Sequence, residues 1–377
     1  MTADLVVVGA SFAGLACARA AAKAGLRVVL LEKKAAAGDK LHTTGIIVKD
    51  AVDSESWLRS VPPSLVRRID GVRLYAPNLH SVDLHAPGYY FWATDASALL
   101  DWMVQEVRAL GVEVRLQSLF TQAELEGTRW RLPMADGTEV RTRYLVGADG
   151  PHSRVATSLG LSSNQEFLFG IEHEYASATI EPGFLHCFID RQLAPGYIGW
   201  ALAGVRSVQI GLARRIPPQT LQNPGARQVK LDAFMAKIAP VVGVHGGQPV
   251  SVRAGMIPCG GLLARVSRPG ALLVGDAAGM VSPVTAGGIR TALLHGRQVG
   301  EGIGAFLAGQ APDPAEWLVQ RYPNFRAKRM LRWMFDRFQT DWMFNQLIGT
   351  RALRRAAELV YFHRKGGVAL PSDYRND

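Results

Sequence analysis

We predict an α/β fold in which a discontinuous nucleotide-binding domain is interrupted by an antiparallel β-sheet domain and followed by a helical C-terminal segment. Three short glycine-rich segments, each directly after an apolar run, predict the nucleotide-binding part; they begin at Gly9, Gly147 and Gly275. Residues 167–214 change to long, aromatic, partly alternating strands, which is typical of a separate antiparallel sheet. The stretch from Pro312 onward is mostly of helical character.

The composition is that of a folded protein, with 48% apolar and 20% charged residues in 377. A chain of this length exceeds what one hydrophobic core usually supports, so we expect two closely joined domains. The N-terminal residues show neither a signal peptide nor a membrane-spanning segment, which favours a cytoplasmic protein. Cys17, Cys187 and Cys259 are far apart in the sequence, so we expect buried thiols rather than disulfides or a metal site.

The first element is a β-α-β unit. Residues 4–8 and 27–31 are apolar runs typical of buried parallel strands, and the alanine-rich stretch between them suits a helix. In such a Rossmann-like unit the first glycine permits a tight turn, the third residue lies where the backbone approaches a pyrophosphate, and the last glycine lets helix and strand pack closely. The residues predicted to bind a pyrophosphate here are Gly9, Ser11, Phe12, Ala13 and Gly14.

An acidic residue at the end of the second strand supports this interpretation. Glu32 lies about 20 residues beyond the first glycine, where a carboxylate accepts hydrogen bonds from ribose hydroxyls. A glutamate at this position favours an unphosphorylated ribose. Lys33 follows it and is included in the predicted nucleotide site.

The second and third glycine segments carry a family resemblance. The stretch 145–154 resembles the Asp-Gly motif, and 273–279 the Gly-Asp motif, of the FAD-dependent oxidoreductases typified by the para-hydroxybenzoate hydroxylase fold. The resemblance implies that the cofactor is FAD. It also implies that four residues contact the cofactor, namely Asp149, Gly150, Gly275 and Asp276.

Within that superfamily, the segments 275–289 and 292–297 resemble the geranylgeranyl reductase branch. This resemblance places a loop and helix start beside the flavin ring, where backbone N–H groups stabilise negative charge on the reduced ring. The residues concerned are Pro283, Gly287, Gly288 and Ile289. We expect the helix to run from Ala286 to about Leu307, with both glycines just inside it. Thr43, Thr44 and Gly45 occupy the place of a Cys-Gly-Gly segment found in reductases, so Gly45 is also expected near the flavin.

One strand of the inserted sheet is similar to the Tyr-x-Trp-x-Phe-Pro strand of prenyl reductases, displaced by one residue. Its aromatic members are Tyr197 and Trp200, which are three residues apart and would face opposite sides of a regular strand. Only one of them is then required to line a substrate pocket. We favour Trp200, and plain core packing is the alternative for that residue.

These interpretations divide the chain into three parts. The FAD-binding domain is predicted to comprise residues 1–72, 95–160 and 255–310, the substrate-binding sheet domain 73–94 and 161–254, and the helical segment 311–377.

The C-terminal segment is basic. The net charge is +10, and residues 321–365 contain eleven Lys or Arg against three Asp or Glu. An amphipathic helix is predicted from Met330 to Phe344, with apolar residues at helical spacing at Leu331, Met334, Phe335, Phe338 and Trp342. Its apolar face either covers the protein's own core, which we favour, or docks on an anionic membrane or a partner protein. No nucleic-acid-binding module accompanies the charge, so nucleic acid is not an expected partner.

The resemblance implies an FAD-dependent reductase that delivers hydride from reduced flavin to an unsaturated, apolar, prenyl-like substrate. Two alternatives remain at this point: a flavin-dependent monooxygenase that hydroxylates an aromatic substrate with O2, and a non-enzymatic flavin-containing protein that binds a partner. NAD(P)H is a candidate electron donor. The catalytic residues, and in particular a proton donor, are not identified by any motif.

Overall fold

The structure is a computed structural model that describes residues 2–221 and 223–362. The helices and strands of that part of the chain are numbered in chain order. The α-helices are α1 (Phe12–Lys23), α2 (Lys49–Ser54), α3 (Ala96–Ala109), α4 (Arg154–Ser158), α5 (Leu231–Ile238), α6 (Ile289–Leu307), α7 (Pro314–Trp317), α8 (Arg326–Phe338), α9 (Asp341–Leu347) and α10 (Arg351–Phe362).

An eight-stranded sheet forms the nucleotide-binding half of the molecule. Its strands are β1 (Thr2–Val8), β2 (Val28–Leu31), β8 (Glu113–Arg115), β9 (Glu124–Glu126), β10 (Arg129–Pro133), β11 (Glu139–Gly147), β19 (Ser267–Arg268) and β20 (Ala271–Leu273). The central strands are parallel in the order β20-β11-β1-β2-β8. The middle of this sheet is buried and apolar, with Leu5 to Val8 of β1, all of β2 and all of β20 buried, as a parallel sheet covered on both faces requires.

Helices α1 and α6 pack against each other through glycine. Gly296 of α6 is so close to α1 that a Cβ on it would lie 2.3 Å from the Ala13 carbonyl oxygen. The start of α1 carries the predicted pyrophosphate site, and α6 begins at the predicted site of the flavin ring. Backbone contact between the two helices therefore fixes the two predicted sites relative to each other.

Replacing Gly296 with alanine should lower the free energy of unfolding by about 1–3 kcal/mol, because the added methyl group overpacks a backbone contact. The thermal unfolding midpoint of the purified flavoprotein measures the change. Gly302→Ala in the same helix is the matched control, since the nearest atom to its added Cβ is Pro314 Cβ at 3.3 Å. Equal midpoints for the two variants would contradict the close helix contact.

A seven-stranded sheet forms the second half. Its strands are β5 (Gly71–Tyr75), β6 (Ser81–Leu84), β12 (Phe167–Tyr175), β14 (Phe184–Phe188), β15 (Gly199–Ala203), β16 (Val208–Ile216) and β18 (Ser251–Pro258). All neighbours pair antiparallel except β5 and β14, which are parallel. The predicted antiparallel sheet is therefore present, and the parallel pair forms where β5 joins it from a distant part of the chain.

Two smaller sheets complete the strands. β3 (Ile46–Val48), β4 (Val66–Ile69) and β7 (Phe91–Thr94) form one, and β13 (Ala178–Thr179) pairs with β17 (Gly243–Val244) in the other. The three-stranded sheet joins residues that the predicted domain division separates, and the predicted boundary between residues 254 and 255 falls inside β18. We therefore keep the three-part division as a proposal, and its bounds would have to move at β7 and β18.

The basic C-terminal segment differs from the prediction. The expected single helix is interrupted at Gln339 and Thr340, between α8 and α9. The buried side chain of α8 is Arg332, which donates hydrogen bonds to the Gly196 carbonyl and to Asp336. Most of the predicted apolar face points outward, with Met334 44%, Phe338 56% and Trp342 of α9 74% exposed, and Phe335 alone of these packs on a core cluster. The expectation that the apolar face covers the protein's own core was therefore wrong for α8, because the helix is anchored by a buried arginine.

The next two helices do contribute to the core. Phe344 of α9 and the following Ile348, together with Ala357 and Phe362 of α10, pack among buried apolar residues of the seven-stranded and the three-stranded sheets. No helix in residues 2–221 and 223–362 has both the length and the apolar character to cross a bilayer. All three cysteines are free and buried, as expected of inert thiols.

Candidate active site

The described part of the chain encloses a cavity of about 1120 Å³ between the two large sheets. Ligand pockets are usually about 300–1,000 Å³, so this one has room for more than one drug-sized molecule. At one end it is bordered by residues that follow the parallel strands, among them Gly9, Glu32, Asp149 and Gly275. These residues follow the carboxyl ends of β1, β2, β11 and β20, the edge at which parallel α/β sheets bind ligands.

The turn after β1 is shaped for close approach to a ligand. Gly9 has φ +105°, and a Cβ there would lie 2.4 Å from the Ala148 carbonyl oxygen. No residue with a side chain fits this position. The backbone N–H groups of Phe12 and Ala13 in the first turn of α1 find no acceptor within the described residues. Such groups, together with the positive end of the helix dipole, form an anion site.

Ser11 has a structural use as well. Its hydroxyl oxygen accepts a hydrogen bond from the Gly14 N–H at 3.3 Å and donates one to the Ala148 carbonyl at 3.1 Å. It is therefore the N-cap of α1 and ties the helix start to the end of β11. The serine that replaces the usual middle glycine keeps the anion site in place through its side chain.

Glu32 is held at the end of β2 by backbone donors. Its carboxylate accepts hydrogen bonds from the N–H groups of Ala10 (2.8 Å) and Lys34 (3.0 Å), and the residue is buried at the cavity wall. Each oxygen still has a lone pair for a second donor. The position suits a ribose hydroxyl.

Asp149 is engaged differently from what the motif implies. Its carboxylate accepts hydrogen bonds from the Ser153 hydroxyl at 2.6 Å and from the N–H groups of Arg154 and Val155, so it caps the start of α4. Burial raises the pKa of Asp149, against the opposing effect of these donors. Asp149 and Gly150 line the cavity, and the aspartate shapes the loop that carries them.

Asp276 is the carboxylate with unmet hydrogen-bonding capacity. It lies in a 3₁₀ turn after β20 and lines the cavity, and no donor within the described residues reaches its side-chain oxygens. Burial raises the pKa of this carboxyl group to about 6. A buried carboxylate without donors is unfavourable unless a ligand supplies them, and the hydroxyl groups of a ribityl chain would do so.

The loop before α6 corrects one expectation. The helix begins at Ile289, so Gly287 and Gly288 lie ahead of it rather than inside it, and Gly288 is its N-cap residue. The cause is the turn at Ala286, which has a left-handed φ of +50° and ends any continuous helix there. Gly287, Gly288 and Ile289 line the cavity and present the N-terminus of a 19-residue helix to it.

Three predicted cofactor residues do not line the cavity. Gly14 packs against Gly9 and Ala148, Gly45 packs against Thr94 and Ala96, and Pro283 is buried in the loop. These three residues pack behind the cavity wall, so they can affect the cavity only through the residues that line it. The other predicted residues lie on the wall itself, including Lys33 and the stretch from Ser11 to Ala13.

Tyr197 and Trp200 both line the cavity, contrary to the argument from strand alternation. Tyr197 precedes β15, so the two residues are not on one regular strand. The Tyr197 hydroxyl donates to the Thr285 carbonyl at 2.7 Å and so links the second sheet to the loop before α6. The Trp200 indole N–H donates to Glu172 Oε2 at 2.8 Å.

Sequence reasoning missed a polar cluster on the floor of this cavity. Glu172 of β12 and Arg253 of β18 line it together with Trp200 and Thr44. Glu172 and Arg253 are 81 positions apart and become neighbours only through strand pairing. The sequence feature that could have indicated this cluster is a pair of glutamates, Glu172 and Glu174, in an aromatic and partly buried strand.

The far end of the cavity is apolar. Its walls come from the second sheet and from the C-terminal helices, and include Leu74, Leu185, Ile189, Phe335, Phe344, Leu353 and Val360. Leu331 and Leu359 both line the cavity and are partly exposed, so the chamber reaches the surface between α8 and α10. No group of side chains suited to hold a metal ion occurs in the part of the chain that the structure describes.

FAD fits the donor and acceptor set. The glycine turn with the start of α1 suits its pyrophosphate, Glu32 suits its adenosine ribose, and the unpartnered Asp276 suits its ribityl chain. The N-terminus of α6 provides a positive dipole end for the ring.

Comparison with known proteins agrees with this fit. The family model described as FAD binding domain matches residues 2–334. Digeranylgeranylglycerophospholipid reductase 2 of Methanopyrus kandleri is 30% identical over 341 residues, which cover 86% of this chain and 82% of that protein. Digeranylgeranylglycerophospholipid reductase 2 of Methanothermobacter thermautotrophicus is 27% identical, covering 80% of this chain and 77% of the relative.

Two solved structures share the fold. A geranylgeranyl bacteriochlorophyll reductase-like protein from Thermoplasma acidophilum superposes with a TM-score of 0.79 at 18% identity, covering 96% of each chain. A probable FAD-dependent monooxygenase from Pseudomonas aeruginosa gives a TM-score of 0.69 at 16% identity, covering 93% of this chain and all of that one. At these identities the structures support the fold and leave the reaction open.

Proposed function

The chain belongs to the FAD binding domain family and is an FAD-dependent oxidoreductase, and on that premise we propose that it is a reductase that saturates double bonds of a prenyl lipid. The curated relatives named above are reductases of digeranylgeranylglycerophospholipid. The observation that carries the proposal is the continuous cavity, which leads from the FAD-binding strand ends into an apolar chamber. An isoprenoid chain is the kind of substrate that such a chamber buries favourably.

Bound FAD would supply hydride transfer, and the chain supplies binding, orientation and exclusion of water. Residues at the strand ends would hold one end of the cofactor, while Tyr197 holds the loop before α6 against the second sheet. The apolar walls exclude water from the reacting double bond. The N-terminus of α6 would favour negative charge on a flavin ring bound beside it.

The test is an anaerobic reaction of chemically reduced protein with a lipid that carries geranylgeranyl chains. Reoxidation of the flavin, with a mass gain of one H2 per saturated double bond, is the expected result. A hydroxylated product that appears only with O2 and carries its oxygen label would instead establish the monooxygenase alternative.

NAD(P)H is the electron donor that we propose to test first. Arg154 and Arg227 are exposed side chains at the cavity wall and provide positive charge for the phosphates of a transiently bound dinucleotide. Anaerobic mixing of the oxidised protein with NADH or NADPH should bleach the flavin absorbance. Bleaching by dithionite alone would point to a protein donor.

We also propose that α8 and the start of α9 dock on an anionic membrane. Trp333, Phe338 and Trp342 are exposed large hydrophobic residues, and the surrounding Arg326, Arg329 and Arg337 are exposed cations. Apolar residues with basic neighbours are the chemistry of an interfacial helix on anionic lipid. The cavity opens beside the same helix at Leu331, so a lipid chain has a direct path from the bilayer.

The double variant Trp333→Ser, Trp342→Ser should bind vesicles of phosphatidylcholine and phosphatidylglycerol at least about 100-fold more weakly, because burying each indole contributes about 1.5–3 kcal/mol. Co-sedimentation with the vesicles measures the binding. Leu125→Ser, a change at an exposed apolar residue of β9, is the control and should bind as the wild type does. Wild-type binding that is equal for neutral and anionic vesicles would exclude the anionic surface.

A further inference from the structure

A row of residues crosses the cavity floor at one level of the second sheet. Arg253 of β18, Glu172 of β12, Gly211 of β16 and Trp200 of β15 are successive register partners. Gly211 has no side chain, so the Trp200 indole lies across it and reaches Glu172. The row therefore brings a carboxyl group, an indole N–H and a guanidinium together at the cavity wall.

The charges of this row do not balance if every acid is ionised. Arg253 makes a 2.6 Å ion pair with Glu174 Oε1, whereas its nearest contact with Glu172 Oε1 is 3.4 Å. Glu174 also accepts hydrogen bonds from Ser207 and Gln209. One partly buried cation thus faces the buried Glu172 and the partly buried Glu174, and the more exposed Glu174 takes its charge. When two acids share one counter-ion, the acid that is not paired with it is favoured to keep its proton, and here that acid is Glu172.

Glu172 is the more deeply buried of the two acids, with a residue exposure of 3%. Burial raises the pKa of Glu172, although the hydrogen bonds from Thr44 and Trp200 and the charge of Arg253 oppose the rise. Oε2 accepts the indole hydrogen at 2.8 Å, whereas Oε1 meets the Arg253 guanidinium only at 3.4 Å, so Oε1 is the oxygen that carries the acidic proton.

We propose that Glu172 is the catalytic acid that protonates the substrate double bond during its reduction. This inference rests on the proposed reductase function. One carbon of the double bond accepts a hydride from the reduced cofactor, and the other accepts the proton from Glu172 Oε1. The π electrons of the double bond form the new C–H bond to that proton, the cofactor loses two electrons, and Glu172 is left as a carboxylate that takes a proton from solvent before the next cycle.

The test compares Glu172→Gln with Glu181→Gln, a matched change at an exposed glutamate outside the cavity. Infrared difference spectra of the oxidised flavoproteins at neutral pH report the protonation state without turnover. The wild type minus Glu172→Gln spectrum should contain the C=O band of a protonated carboxylic acid, and the wild type minus Glu181→Gln spectrum should not. The FAD content and the extent of reduction by dithionite should be the same in all three proteins.

Reoxidation of the reduced protein by the prenyl lipid should be slower by a factor of about 10²–10⁴ in Glu172→Gln and unchanged in Glu181→Gln. Glu172→Asp should recover part of the rate. Absence of the acid band in the wild-type difference spectrum, or equal reoxidation rates for wild type and Glu172→Gln, would overturn the assignment. If wild-type protein reduces no prenyl lipid while the acid band is present, the proposed substrate is wrong and Glu172 is a protonated acid without that role.

Discussion

Asp276→Ala should weaken FAD binding by about 10- to 150-fold while leaving the protein folded. Its carboxylate lines the cavity and accepts no hydrogen bond from the described residues. The substitution therefore removes hydrogen bonds to the cofactor and none within that part of the protein. A hydrogen bond to a charged group contributes about 1.5–3 kcal/mol, which gives the expected range. Fluorescence titration of the apoprotein with FAD measures the dissociation constant, and circular dichroism checks the fold.

The pH dependence of FAD binding separates this role from general disruption. Without cofactor, burial raises the pKa of Asp276 to about 6, above the ordinary aspartate value. Hydroxyl donors from FAD favour the carboxylate and lower that pKa, so binding releases a proton and affinity should fall as pH drops below about 6, by at most tenfold per unit. Asp276→Asn, which cannot titrate, is the control and should lack this slope. A wild-type affinity that is flat between pH 7 and pH 5 would contradict the contact.

The strand-end residues could be predicted because their signals are local. An apolar run followed by glycine marks a buried strand and its turn, and parallel strands bring their carboxyl ends to one edge. Gly9, Glu32 and Asp276 indeed reach a common cavity. What the motif did not reveal is the bonding of each side chain: Asp149 caps α4, while Asp276 lacks donors.

The polar row on the cavity floor could not be predicted because it depends on strand register. A shift of one residue in the pairing of β12 would turn Glu172 to the opposite face of the sheet. Register is fixed by contacts between distant parts of the chain, here between Glu172, Gly211 and Arg253. The sequence shows the residues but not their alignment.

The C-terminal helices show a different limit. Helical spacing of Leu331, Met334 and Phe338 correctly predicted a helix, but periodicity does not tell which face meets the protein. The buried Arg332, held by the Gly196 carbonyl and Asp336, turns the apolar stripe outward. Such an anchor joins residues more than a hundred positions apart and leaves no local pattern.

Gly211→Ala should displace the Trp200 indole and slow prenyl reduction by at least about tenfold. A Cβ on Gly211 would lie 2.2 Å from the indole atoms Cε2 and Cζ2, so the ring must leave its place over the strand. Its hydrogen bond to Glu172 is then lost, and this bond would strengthen as the acid becomes a carboxylate during proton transfer; a hydrogen bond to a charged group contributes at least about 1.5 kcal/mol, which corresponds to at least about tenfold in rate. The reoxidation rate of the reduced protein by prenyl lipid measures the effect.

Gly170→Ala is the matched control for this variant. Gly170 lies in β12 on the same face of the same sheet, and the nearest atoms to its added Cβ are at ordinary contact distances of 3.5–3.8 Å, with Trp200 among them. Both variants should keep the wild-type FAD content, because neither glycine is among the strand-end residues that suit the cofactor. The Gly211→Ala change should also shift the infrared band assigned to Glu172, since the band reports the hydrogen bond to the indole. Equal rates and an unshifted band in the two variants would mean that Trp200 does not position Glu172, and the indole would then be a packing residue of the cavity wall.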